Sequence, residues 1–321
     1  MTAPIVAVDR VVKRFAGHLA VDHLSLAVPA GVIYGLLGPN GAGKTTTIRM
    51  IMNVFVPDEG SVRLFDGPGT GRDHSARIGF LPEERGLYPK MRVLDAIVFL
   101  AETKGIDRRT ARTQADMWLQ RLGLSDWRQR KVSDLSKGMQ QKVQFIATVL
   151  HEPDLLVLDE PFSGLDPINS EILRNTVVDL RRSGKTILFS THIMEQAEKL
   201  CDHVCIIAKG RKVVDGPLAA VKQGHGGRHV SVAFDGEVGG AARVFADRRL
   251  VAKADDFGQY AELELAAGAD AQDILRGLVT SGARLTRFEI VAPSLHKVFV
   301  DLVGPDAAKA DARPEGVTAR A

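Results

Sequence analysis

Residues 38–46 read GPNGAGKTT; VIYGLL precedes them and a stretch of helical character, 45–55, follows. The pattern is G-x-x-x-x-G-K-[ST], and its meaning depends on a strand before it and a helix after it. Both are present in the hydrophobic pattern. Gly38, Gly41 and Gly43 let the backbone fold closely around an anion without side-chain clash. Successive N–H groups at the start of a helix form a nest for phosphate. Lys44 adds a point charge for terminal phosphates, and the Thr45 hydroxyl is a ligand for Mg²⁺. Asn40 and Thr46 belong to the same loop and are counted with its phosphate-binding residues. A chance match in a chain of this length is on the order of one per cent, and the strand–loop–helix context lowers it further.

A phosphate loop needs acidic and basic partners from neighbouring strands. LLVLDEP at 155–161 is a buried-strand pattern ending in carboxylates, where open α/β sheets bind ligands. There Asp159 would hold Mg²⁺, and Glu160 would orient or deprotonate the attacking water. A strand ending in Asp-Glu is weak evidence alone, because turn carboxylates are common, but it gains meaning downstream of a phosphate loop. TILFSTH at 186–192 is a second apolar strand ending in His192. A lone His there is ordinarily structural; a strand lying beside the other two would put His192 near the γ-phosphate with Glu160.

Short β-like runs fill residues 4–35, and DEGSVRLFDG at 58–67 adds a strand and turn. Helical patterns run from about Arg92 to Leu124, and HVCIIAKG is a further buried strand. Strands alternating with helices indicate an α/β domain with a mainly parallel sheet. KQGHGGRH at 222–229 is a Gly-rich break, read as a linker within 221–229. Beyond it, HVSVAFDG, YAELELAA and RLTRFEIV read as strands and DAQDILRGLVTSG as a helix, enough for a small α+β domain over 230–303. The tail, 304–321, has few large apolar residues and is expected to be disordered.

The composition, 45% hydrophobic and 25% charged, is that of a globular protein. A net charge of +3 gives no argument for a nucleic-acid partner. Cys201 and Cys205 flank His203; two packed thiols at a helix end fit better than a zinc site, which needs about four ligands. MTAPIVAVDR lacks the basic start and apolar core of a signal peptide, and there is no apolar run of about 18 residues.

DLSKGMQQKV at 134–143 reads as a helix start capped by Ser136. Such an end also suits an anion, yet it lies 92 positions beyond Lys44. Taken in order, GPNGAGKTT, DLSKGMQQKV, LLVLDEP, SGLDP and STH resemble the ATP-binding cassette (ABC) ATPase subunits of transporters, over roughly residues 4–220. The resemblance implies an α/β P-loop NTPase core with an antiparallel β subdomain and a helical signature subdomain at about 88–155, plus the small C-terminal α+β domain. It implies ATP and Mg²⁺ as ligands, Phe15 stacking on adenine, and Ser136 and Gly138 facing ATP held by a second ATPase subunit, identical or homologous. It implies Asp166, in SGLDP, as part of the link between two active sites. Separate transmembrane permease subunits, and a peripheral place at the cytoplasmic face of a bacterial cell membrane, follow from the same likeness. The end of the chain, PSLHKVFV, resembles an accessory domain of subunits serving export-type permeases.

Two positions depart from the family pattern. LSGGQ is the common signature, and this chain has Leu135-Ser136-Lys137-Gly138-Met139, keeping the capping Ser and the second Gly. Lys137 adds charge that could meet phosphate or simply point to solvent. In GFLPEERGLYPKM, Glu83 stands where the family often has a Gln that contacts Mg²⁺; Glu83 can ligate Mg²⁺ but brings negative charge beside a triphosphate, and Glu84 is a weaker substitute. Other ATPases of this superfamily fit less well: DNA-repair types carry a long coiled coil between phosphate loop and signature, and ribosome-acting types carry two cassettes. A nucleotide kinase would leave DLSKGMQQKV and SGLDP without a role.

Overall fold

The computed structural model describes residues 3–65, 71–84, 86–224, 229–235 and 241–304. Residues 225–228 of the expected linker, and the tail from 305, lie outside the described residues. The chain divides into two compact units, one up to Leu218 and one over Ala219–Leu302.

In the first unit, β1 (Val6–Phe15) and β2 (His18–Val28) form a hairpin, followed by β3 (Ile33–Leu37), α1 (Lys44–Ile51), β4 (Glu59–Leu64) and β5 (Ile78–Leu81). Helices α2 (Val93–Glu102), α3 (Arg108–Arg121) and α4 (Lys137–Val149) come next. Then β6 (Leu155–Asp159), α5 (Pro167–Arg182), β7 (Thr186–Thr191), α6 (Met194–Leu200), β8 (His203–Ala208) and β9 (Arg211–Pro217) complete the α/β pattern, and α7 (Leu218–Gly224) follows. A six-stranded sheet has the order β5-β6-β7-β3-β8-β9, parallel except for β9. β3, β6 and β7 are buried at every position, as the unbroken apolar runs IYGLL and LLVL require of strands covered on both faces. The separate antiparallel sheet, β2-β1-β4, shares a core with it through Val6, Val8 and Leu24 on one side and Tyr34, Ile48 and Leu188 on the other. Truncating a side chain such as Leu188, which has no exposed surface, costs about 2–5 kcal/mol in such a setting.

The sheet's register positions the site. Leu37 pairs with Thr191 and Asp159 with Ser190, so the residues that follow β3, β6 and β7 emerge together at one end of the sheet. The helix after the phosphate loop stops at Ile51, short of the expected 55, because Asn53 turns the chain with a φ of 55°. Cys201 and Cys205 are both free and buried. The Cys201 sulfur packs over Gly35, where a Cβ would approach to 2.6 Å.

The second unit runs β10 (His229–Phe234), α8 (Ala241–Ala246), β11 (Val251–Asp256), β12 (Tyr260–Leu265), α9 (Ala271–Thr280), β13 (Leu285–Val291) and α10 (Leu295–Val303). Its sheet is antiparallel with the order β11-β12-β10-β13, the ferredoxin-like β-α-β-β-α-β arrangement. Ala241, Val244, Ile274 and Leu278 from the helices cover Val230, Val232 and Leu263 on one sheet face.

Candidate nucleotide site

The phosphate loop is set by its glycines. Gly38 and Gly43 have positive φ, and a Cβ on them would lie 2.1 Å from the Ile207 carbonyl oxygen and 2.6 Å from that of Ala20. The loop is therefore gripped by backbone on both sides. Gly41, also at positive φ, has open space where its Cβ would stand. The loop leads into α1, whose first residue is Lys44. The Lys44 side chain is 6% exposed, and its Nζ donates to the carbonyls of Gly38 (2.7 Å) and Pro39 (3.2 Å). It also lies 4.0 Å from Glu160 Oε1.

Glu160 adopts a φ of 47°, a left-handed conformation that costs a non-glycine residue about 1–2 kcal/mol. Its neighbours hold it there. Its backbone N–H donates to Ser190 Oγ (3.2 Å), and its Oε1 accepts from the His192 backbone N–H (3.1 Å). The His192 ring Nδ1 sits 2.8 Å from the same oxygen. Ser190 Oγ in turn donates to Asp159 Oδ1. The result is a chain of contacts from Asp159 through Ser190 and Glu160 to His192 and Lys44.

A pocket of about 310 Å³ gathers Phe15, Asn40, Gly41, Gly43, Lys44, Thr45, Thr46, Glu83 and Glu160, joined by His18, Ala20 and Ala42. Phe15 stands at its edge, 38% exposed, with its ring edge-on to Phe55 at 5.3 Å between centroids. The structure thus brings most of the predicted site residues to one place, with Asp159 and His192 attached through Ser190 and Glu160. Ser190 gains a role that the STH stretch by itself does not mark, and the signal for it is its place beside Thr191 and His192 at the end of an apolar strand.

Gly38, Asp159 and His192 bond to or through the lining residues Lys44 and Glu160 without lining the pocket themselves, and Ser136, Gly138 and Asp166 do not line it either. Ser136 caps α4, its Oγ accepting from the Met139 N–H at 3.3 Å. Gly138 lies against the Gly164–Leu165 turn, where a Cβ would stand 3.3 Å from Leu165 Cδ2. Asp166 caps α5, and the Asn169 N–H holds its carboxyl below the usual range. Two buried glutamines tie α4 to the pocket from behind. Gln141 Nε2 donates to the Pro161 carbonyl (3.2 Å), and Gln144 Nε2 reaches the carbonyls of Pro82 (3.4 Å) and Glu84 (3.3 Å) on either side of Glu83. A larger cavity, about 460 Å³, lies between α5 and α6 and contains none of the phosphate-loop residues.

This phosphate loop, with a buried carboxylate pair and a capped helix elsewhere, has clear counterparts. The ABC transporter family matches residues 21–163. An uncharacterized ABC transporter ATP-binding protein of Bacillus subtilis, YhaQ, is 43% identical over 94% of this chain and 99% of its own length. The chain belongs to the ABC transporter ATP-binding proteins. Its second unit has a relative of its own: the C-terminal domain of the DrrA1-3-like ATP-binding proteins matches residues 216–303. The Nod factor export ATP-binding protein I of Burkholderia lata is 39% identical over 66% of this chain and 71% of that protein. Among solved structures, an ATP-binding subunit of an ABC transporter matches with a TM-score of 0.63 and 27% identity, covering 68% of this chain and 92% of the other. A nucleotide-free ATP-binding cassette at 24% identity, with a TM-score of 0.59 over 67% of this chain and 91% of that one, shares the fold. ABC ATPase domains bind and hydrolyse ATP, and this chain is an ATPase subunit of that kind.

Mg²⁺ can be tested against the oxygens present. Thr45 and Glu83 line the pocket, and Asp159 retains acceptor capacity beyond its bond from Ser190. Hydroxyl and carboxylate oxygens suit a hard cation. Among the described residues, no group of three or more His, Cys, Asp or Glu forms a protein cage for a metal. Mg²⁺ usually binds through one or two carboxylates plus substrate phosphates, so the residues fit it.

Proposed function

We propose that this chain is one of two ATPase subunits that power an exporter built from separate transmembrane permease subunits. The observation that carries the reading is the separation, within one chain, of the pocket around Lys44 from the capped start of α4 at Ser136 and Gly138. A helix start with unpaired N–H groups suits a phosphate, and a second subunit placed head to tail would supply it. Two ATP molecules would then be sandwiched between two subunits, with Asp166 near the link between the sites. Export is supported by the likeness to the Nod factor export ATP-binding protein I. No helix among the described residues is long and apolar enough to cross a membrane, which agrees with a peripheral subunit at the cytoplasmic face working through permease partners. Nothing in the charge balance calls for nucleic acid.

In this reading Phe15 stacks on adenine, while Gly38, Asn40, Gly41, Gly43, Thr46 and Lys44 bind the phosphates. Thr45 and Asp159, with Glu83, would hold Mg²⁺, which when bound neutralises charge on the β- and γ-phosphates. Glu160 takes a proton from the attacking water. His192, already in contact with Glu160 Oε1, fixes that carboxylate and stands beside the γ-phosphate. Closing two subunits excludes water and strengthens each of these electrostatic contacts. Reopening after hydrolysis would drive the permease.

Glu160→Gln tests the reading. It should bind ATP as tightly as the wild type, hydrolyse it at least about a hundredfold more slowly, and retain one ATP per chain through gel filtration. Hydrolysis near the wild-type rate, or ATP lost as fast as from the wild type, would refute it.

A further inference from the structure

The sheet of the second unit ends in an open edge. Among the described residues β13 pairs with β10 alone, in a regular register from Val230↔Ile290 to Ala233↔Arg287. Val230 and Val232 face the helices, so Phe288 and Ile290 share that side while Arg287 and Glu289 project from the other. Phe288 packs on the core, but Ile290 is 61% exposed. Arg287 and Glu289 are ion-paired with one another in the chain.

An edge of this kind presents a row of N–H and C=O groups to any strand that can reach it. Its charges are arranged with a centre. A twofold axis through Phe288, perpendicular to the sheet, would set Arg287 opposite Glu289 of a second copy and Glu289 opposite that copy's Arg287. Opposite charges directly across an antiparallel pair are favourable, and like charges there are not. The same operation places Ile290 beside Thr286 of the second copy and keeps the α8 and α9 layers of both copies on one face. The other edge, β11, also alternates Lys253 and Asp255, but a bulge between Val251 and Lys253 breaks its register. β11 also bears no exposed large apolar side chain.

We infer that a second copy of this chain docks along β13, joining the two four-stranded sheets into one of eight strands. This contact is separate from the ATP sandwich and needs no nucleotide. It keeps two ATPase subunits together when their nucleotide sites are open.

Sedimentation of the full chain without nucleotide tests the inference. The wild type should form a reversible dimer. Arg287→Glu alone sets carboxylates opposite each other twice, and Glu289→Arg alone does the same with guanidiniums. Each should raise the dissociation constant at least about tenfold. The double exchange, Arg287→Glu with Glu289→Arg, should restore it; because that exchange also re-forms the pair within the chain, each single variant should unfold at the wild-type temperature, so that the loss is one of docking and not of folding. A Thr286→Cys, Ile290→Cys chain should cross-link into covalent dimers on oxidation. A monomeric wild type, a double exchange as weak as either single one, or open-ended oligomers from β13 meeting β11 would each overturn the inference. Retention of ATP by Glu160→Gln, Arg287→Glu distinguishes the two contacts. If it holds while the dimer is lost without ATP, β13 pairing is separate from the sandwich; if ATP retention fails while β13 pairing persists in Glu160→Gln, the sandwich reading fails instead.

Discussion

Lys44 is a buried cation held by two carbonyls of its own loop and lying near Glu160. A triphosphate entering the pocket would replace those partners with charged oxygens. Lys44→Ala should therefore weaken ATP binding about ten- to a hundredfold, as expected for losing a charge-assisted contact, and isothermal titration would measure it. Unchanged affinity would remove Lys44 from the phosphate site. The glycines of the loop separate in the same way. Gly43→Ala brings both left-handed strain and a 2.6 Å approach to the Ala20 carbonyl, whereas Gly41→Ala meets open space and only the strain. Thermal unfolding should show Gly43→Ala destabilised by about 2 kcal/mol or more and Gly41→Ala by about 1–2 kcal/mol. The opposite order would contradict the packing described for the loop. At this scale the sequence was highly legible, because a glycine-rich loop followed by Lys-Thr has few other uses. Ser190 was not, because a serine acquires its role only when β7 lies beside β6 and its hydroxyl meets Asp159.

Elements with long apolar runs were legible for a plain reason: β3, β6 and β7 are buried on both faces and admit no polar residue until their ends. The α4 cap at Ser136 was legible from the Ser–Lys–Gly start. Strands β9 and β11 and helices α7 and α8 are short and half exposed, and their apolar residues do not mark a period strongly enough to stand out from loop sequence. The ferredoxin-like order depends on pairing between distant strands, which no local pattern records. In that unit the hydrogen bond from Lys297 on α10 holds the carboxyl of Glu264 on β12 below its usual range. A carboxyl whose folded pKa is depressed contributes stability above its unfolded value of about 4.3 and loses it as pH falls through the folded value. Lys297→Met should therefore lower the stability of this unit at pH 7 and have a smaller effect near pH 3. Urea unfolding followed by hydrogen exchange in β12 would measure the difference; an equal loss at both pH values would assign Lys297 to packing alone.

For the whole molecule, an ATPase unit of the ABC family is joined to a DrrA1-3-like C-terminal unit. The proposed cycle needs two copies because the helix start at Ser136 stands apart from the pocket around Lys44. Lys137 stands exposed beside that helix start. In the proposed cycle Ser136 of one copy completes the ATP site of the other, and nucleotide retention in mixed subunits tests this directly. Chains carrying Glu160→Gln with Ser136→Arg should hold no ATP through gel filtration, because their signature helix is blocked. Lys44→Ala chains should hold none, because they bind it weakly and keep the Glu160 that hydrolyses it. Mixing the two should restore retention at one ATP per mixed pair, in the site formed by the first chain's phosphate loop and the second chain's intact Ser136. No recovery on mixing would contradict completion in trans.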